Sequence, residues 1–80
     1  MDKKIIITFE SVNYAMKAEK LLKEKEVAMR TIPTPRKISN SCGLCIVTDF
    51  DRLEKIKNFI DEGLVVKDLY LKENDEYNLI

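Results

Sequence analysis

Val27-Ala28-Met29-Arg30-Thr31-Ile32-Pro33-Thr34-Pro35-Arg36-Lys37-Ile38-Ser39-Asn40-Ser41-Cys42-Gly43-Leu44-Cys45-Ile46-Val47-Thr48 is the stretch on which the fold turns. Its ends are apolar and its middle has no period. Val27 to Ile32 is expected as a strand, ended by Pro33 and Pro35 because proline cannot donate to a sheet ladder. Gly43 to Thr48 is expected as the next strand. Between them lies a loop of about ten residues, long for a hairpin connection. Two strands therefore follow one another with no helix between them.

Toward the N-terminus, Lys3-Lys4-Ile5-Ile6-Ile7-Thr8-Phe9 is β-branched and apolar, a mostly buried strand. Ser11 is a good N-cap for the helix that follows. From Val12 to about Lys25, Tyr14, Ala15, Ala18, Leu21 and Leu22 recur at three- and four-residue spacing and line one face. Toward the C-terminus, Asp51 and Glu54 resemble a capping box for a helix through Leu53, Ile56, Phe59 and Ile60. Gly63 suits the left-handed residue that stops it. Val65 to Leu71 is the last strand. Residues 1–72 form one domain, and 73–80 a tail that is either disordered or packed as an edge element.

The order strand, helix, strand, strand, helix, strand predicts a ferredoxin-like βαββαβ two-layer α+β sandwich. Its four-stranded antiparallel sheet carries both helices on one face. The other face has no cover of its own. Period-two alternation puts Ile6, Val66 and Tyr70 there, a patch suited to a homodimer through the open sheet face. A binding or dimerisation module with a structural Cys42 is the alternative to any chemistry.

Composition removes many mechanisms. The chain has 80 residues, no His and two Cys. Without His there is no Ser-His or Cys-His pair and no His-ligated metal. Two thiolates cannot complete a zinc site in one chain. Four could meet only across a dimer, so no metal and no cofactor are expected. Lys plus Arg and Asp plus Glu both total 14, leaving zero net charge and no field to steer nucleic acid. Ile5 to Ile7 is too short an apolar run for a secretory signal, and no stretch is long enough to span a membrane. A cytoplasmic location is expected, where cysteines stay reduced.

In the predicted topology the long loop lies at the end of the sheet that carries the first helix N-terminus, near Ser11. Free N–H groups and the cations Arg36 and Lys37 would lower a thiol pKa there, which suits a nucleophilic or group-carrying Cys42. Gly43 would allow a tight turn or close approach of a substrate. The competing reading makes Cys42 a small buried residue at a strand start. Cys42-Gly43-Leu44-Cys45 also has the C-x-x-C spacing. In an extended strand, however, residues three apart face opposite ways, so Cys45 is expected as a core or sheet-face residue.

The run Ile32 to Leu44, with Ala15-Met16-Lys17-Ala18-Glu19-Lys20-Leu21-Leu22 before it, resembles a family of small bacterial proteins described as Se/S carrier protein-like. Members share a Pro-x-Pro-Arg-x-Ile-Ser loop ending in Cys-Gly. The resemblance implies a cysteine that carries sulfur or selenium as a persulfide or selenyl-sulfide. That role falls on Cys42, with Pro35, Arg36, Ser39 and Gly43 as supporting loop positions. It also implies a donor enzyme of the cysteine desulfurase type and an acceptor protein. Cys45 stands where Ala is expected in the pattern.

Overall fold

A computed structural model of the chain describes residues 3–38 and 43–80. The elements are β1 (Lys4–Thr8), α1 (Val12–Glu24), β2 (Arg30–Pro33), β3 (Leu44–Asp49), a 3-10 turn (Phe50–Arg52), α2 (Leu53–Asp61), β4 (Asp68–Glu73) and β5 (Glu76–Leu79). All five strands form one antiparallel-paired sheet in the order β2-β3-β1-β4-β5. The class is α+β with two helices, as expected, but the sheet has five strands rather than four.

The fifth strand comes from the segment after Lys72. Asn74 and Asp75 both adopt positive φ, 54° and 69°. That is the two-residue turn whose twist matches a hairpin, and Asn and Asp tolerate it better than most side chains. Tyr70 then pairs with Leu79, and Lys72 with Tyr77. The four-residue strand was too short for alternation to reveal.

β1 lies between β3 and β4, so its two faces organise everything else. Ile5 and Ile7 point to one side and, with Phe9 and Ile46, are fully buried against Ala15, Ala18 and Leu22 of α1 and Ile56 of α2. Both helices thus cover the same face. Tyr14, expected in the helix stripe, is 40 % exposed and flanks it instead.

The helix ends show how local chemistry sets the boundaries. The Tyr14 N–H donates to Ser11 Oγ (3.5 Å), the expected N-cap. At its C-terminus the Val27 N–H donates to the Leu22 carbonyl (2.9 Å) and the Glu26 N–H to Lys23 (3.0 Å). Leu64 and Gly63 repeat this on Phe59 and Ile60 at the end of α2. Both are Schellman closures, which require a left-handed residue. Gly63 supplies it at φ 120°, whereas α1 forces Glu26 to φ 60°. The capping box at Asp51 is not formed. The chain already turns at Phe50, and Asp51 pairs with Arg52 (2.9 Å) instead. Arg52 stands at the N-cap with no side-chain cap bond.

The second sheet face is not an open apolar patch. Ile6 is only 1 % exposed, and with Cys45 and Ile38 it forms a separate buried cluster flanked by Ile32, Val47, Tyr70 and Tyr77. Val66 does not belong there. β4 begins only at Asp68, so strand alternation does not reach back to Val66, which packs on the helix side. Of the three expected residues, only Tyr70 borders this face while still partly exposed.

Candidate functional site

The site is built from the β2–β3 connection. The ladder's last pair is Pro33 with Leu44, and one more bond follows it, from the Thr34 N–H to the Gly43 carbonyl (3.1 Å). Beyond that clasp the Pro35 carbonyl accepts from the Ile38 N–H (3.1 Å), closing a turn with Arg36 and Lys37 at its apex. The turn folds the arm across the face opposite the helices. It lays Ile38 on Ile6 and Cys45 and leaves it 3 % exposed. Lys37 Nζ donates to the Asp75 carbonyl in the β4–β5 turn (3.1 Å), which ties the arm to the far side of the sheet.

Magnitudes rank these contacts. Burying an isoleucine side chain contributes about 1.5–3 kcal/mol. An exposed hydrogen bond such as Lys37 to Asp75 contributes about 1 kcal/mol or less. Ordering each arm residue costs about 1–2 kcal/mol, so the arm is held near balance, with Ile38 as its principal anchor. Pro33 and Pro35 help by restricting the free chain.

The expected site residues separate into groups. Pro35 and Arg36 lie together on the arm, and Arg36 is exposed, with no ion pair to another described residue. Gly43 closes the clasp and is exposed. An added Cβ there would meet nothing within 4 Å among the described residues. Ser11 belongs to the helix layer, where its hydroxyl caps α1. Among the described residues no hydrogen bond links it to Arg36 or Lys37. Cys42 and Ser39 lie outside the described residues. Cys45 is fully buried on β3, opposite Thr8 and Ile32, beneath Ile38.

Sequence reasoning did not find Ile38, Tyr77 or Asp75. The available signal was one isoleucine in an otherwise polar loop, with a tyrosine in a polar tail. A groove of about 490 Å³ lies between the helices and is lined by Tyr14, Lys17, Leu21, Phe59 and Val65 among others. No described arm residue lines it. Among the described residues, no helix is long and apolar enough to cross a membrane, and no three His, Cys, Asp or Glu side chains cluster as metal ligands.

No curated protein and no solved structure matches the chain. A family model does, and its match takes in α1, the whole of the Pro33–Gly43 connection and both helix-bearing crossovers. Over residues 4–71 the chain belongs to the family described as "Putative Se/S carrier protein-like".

Proposed function

We propose that this protein is a small cysteine-based carrier that holds sulfur or selenium on Cys42 as a persulfide or selenyl-sulfide. Family membership over residues 4–71, a span that includes the Cys42 loop, carries the reading. The arm supports it, because it brings two cations, Arg36 and Lys37, to an exposed apex in the loop that contains Cys42. We read the architecture as a ferredoxin-like sandwich extended by a C-terminal hairpin, working in a reducing cytoplasm where Cys42 stays available.

The chemistry needs no general base. The Cys42 thiolate attacks the terminal sulfur of a donor persulfide, R–S–SH. The donor S–S bond breaks, the donor leaves as a thiolate, and Cys42 becomes Cys42–S–SH with no net oxidation. Delivery repeats the exchange onto an acceptor thiolate, and a selenium atom would move in the same way. Neighbouring cations lower a thiol pKa and raise the thiolate fraction, a role for Arg36 and Lys37 in a chain that lacks His. The donor is an enzyme of the cysteine desulfurase type and the acceptor is a second protein. A homodimer through the sheet face would have to seat on Tyr70 and its partly exposed neighbours, since Ile38 already covers Ile6.

Mass spectrometry after incubation with a low-molecular-weight persulfide tests the proposal. Cys42 should gain one sulfur atom that dithiothreitol removes, and Cys42→Ser should gain none. A sulfur found on Cys45, or on neither cysteine, would overturn it. Gly43→Ala should fold normally, since space is available for the methyl group, so any slower loading measures how closely the donor must approach.

A further inference from the structure

The sheet has two outer strands, β2 and β5, and their edges are finished differently. The pairing registers tell which backbone groups each edge leaves free. On β2 the Thr34 N–H bonds the Gly43 carbonyl, so Thr34, and with it Ile32 and Arg30, turn their backbone toward β3. Thr31 and Pro33 therefore turn theirs outward. Pro33 has no N–H to offer, which blunts that edge. On β5 the Ile80 N–H bonds the Leu69 carbonyl (3.0 Å), and Glu76 pairs with Glu73 across the Asn74-Asp75 turn. Glu76, Asn78 and Ile80 thus turn their backbone toward β4, and Tyr77 and Leu79 aim N–H and C=O out of the sheet. Residues 76–80 hold no Pro, Lys or Arg to guard that edge. Leu79 and Ile80, one on each face, are 64 % and 48 % exposed.

We propose that β5 is the pairing edge for a second copy of this chain, joined antiparallel about a two-fold axis at Asn78. In that register Tyr77 lies opposite the partner's Leu79, and Leu79 opposite the partner's Tyr77. These are the residues whose backbone points outward, so each pair exchanges N–H···O=C bonds in both directions. A slip of one residue would set Tyr77 against Asn78, whose backbone is already spent on β4. Leu79 lies opposite Tyr70, so Tyr77 and Leu79 share the face that carries Ile38. Each new pair is therefore also an aromatic–aliphatic contact that covers the exposed leucine. Asn78 meets its own copy on the helix face. The strand's one charge, Glu76, falls about 14 Å along the strands from its copy, more than a Debye length. The contact is self-complementary, as a two-fold interface must be. Two five-stranded sheets become one of ten strands, with both helix layers on one side and both arms on the other. The surface used is the sheet's edge and leaves its face uncovered. So short an edge buries less than the ~1,200–2,000 Å² of a stable interface, and association is half-complete on the order of 100 μM.

Sedimentation velocity of the full-length protein under reducing conditions, from about 10 μM to about 1 mM, tests this. The native chain should move from monomer toward dimer over that range. Leu79→Pro should weaken the dimer about tenfold or more and leave circular dichroism unchanged, because the N–H it removes points away from β4. Val47→Lys, on the same face but three strands from the edge, should leave association as it is. Asn78→Cys should join two copies through position 78 when diamide is the oxidant, read by peptide mapping. Opposed residues of such a non-hydrogen-bonded pair lie about 4.5 Å apart, within disulfide reach. Glu76→Cys, far from its copy, should not link through position 76.

A chain that stays monomeric at about 1 mM would overturn the proposal. So would a dimer that tolerates Leu79→Pro and is lost in Val47→Lys, which would put the contact on the sheet face. If Leu79→Pro unfolds, the crosslinks decide. Linkage through position 76 as readily as through 78, or through neither, would overturn the pairing.

Discussion

The two faces of the sheet are built by different rules. On the helix face, Ile5, Ile7, Phe9 and Ile46 meet Ala15, Ala18, Leu22 and Ile56, all at zero exposure. All but Phe9, which directly follows β1, come from regular elements and cannot leave without unfolding them. On the opposite face, Ile6 and Cys45 are equally buried, but part of their cover is one loop side chain, Ile38. That cover can lift while the sheet remains. A core of interlocked elements is bound to the whole fold, whereas a core closed in part by one loop side chain can be uncovered on its own.

The largest expected effect separates the two. Ile7→Ala should cost about 2–5 kcal/mol, the usual range for emptying a packed aliphatic site that cannot collapse. A large drop in the urea midpoint, approaching loss of the fold, is expected. Ile38→Ala should cost only about 1–2 kcal/mol, since the arm can leave its seat and recover its ordering entropy. Equal losses in urea titrations of the two variants would mean that the arm unfolds only with the whole domain, and the distinction drawn above would be wrong.

The closures of the two helices allow the next test, because they differ at one residue. Gly63 closes α2 without strain, and Glu26 closes α1 at φ 60°. A left-handed conformation costs a residue with a Cβ about 1–2 kcal/mol, and glycine adds back some unfolded-chain entropy. Glu26→Gly should therefore stabilise by about 1 kcal/mol, seen as a higher thermal midpoint. Gly63→Ala should destabilise by a similar amount. An unstable Glu26→Gly variant would show that the carboxylate of Glu26 does more than occupy the turn.

These contrasts explain what could be read from the chain. Ile5 and Ile7 in alternation, and Ala15, Ala18 and Leu22 at helical spacing, carry their own period, and so β1, α1 and their shared face were legible. β4 was placed in part, but not its first residue, and that error moved Val66 to the wrong side. Strand alternation predicts a face only where pairing holds the pleat, and the β4 ladder begins at Asp68. β5 stood only as one of two readings of the tail, the edge element, because its turn is Asn-Asp, a weaker signal than Asn-Gly, and its strand is four residues long. Within the site, Cys42 and its loop were conspicuous from residue types and from the family motif. Ile38 was not, because a loop residue's burial depends on tertiary contact with no local period.

A smaller effect is expected at Thr31 on the β2 edge. Its hydroxyl is buried and has no hydrogen-bond partner among the described residues. Thr48, also buried, donates to the Ala28 carbonyl at 2.7 Å. Removing an unsatisfied hydroxyl recovers part of its desolvation cost, so Thr31→Val should gain up to about 1 kcal/mol in a urea titration. Thr48→Val should lose stability, because it leaves the Ala28 carbonyl without that donor. The same sign for both variants would break the contrast.

The smallest effect lies at the end of the sheet away from the arm. Lys4 Nζ bonds Asp49 across β1 and β3, and Arg52 sits 3.7 Å from the same carboxylate. The Lys4 hydrogen bond, then its charge, holds the Asp49 pKa below the ordinary 3.8. A carboxylate depressed in the folded state contributes stability above its unfolded pKa, and that contribution fades as pH falls through the lower folded value. Both side chains are substantially exposed, so solvent and salt screen the pair. Lys4→Met should therefore lower the thermal midpoint slightly at neutral pH and low salt. The difference should shrink as pH falls below the ordinary carboxylate range and vanish once the folded-state Asp49 carboxyl is itself protonated. A difference that instead grows in acid would mean that Lys4 acts by packing its methylenes along the sheet rather than through Asp49. That end of the sheet would then be held together by apolar contact, as the arm is at the other end.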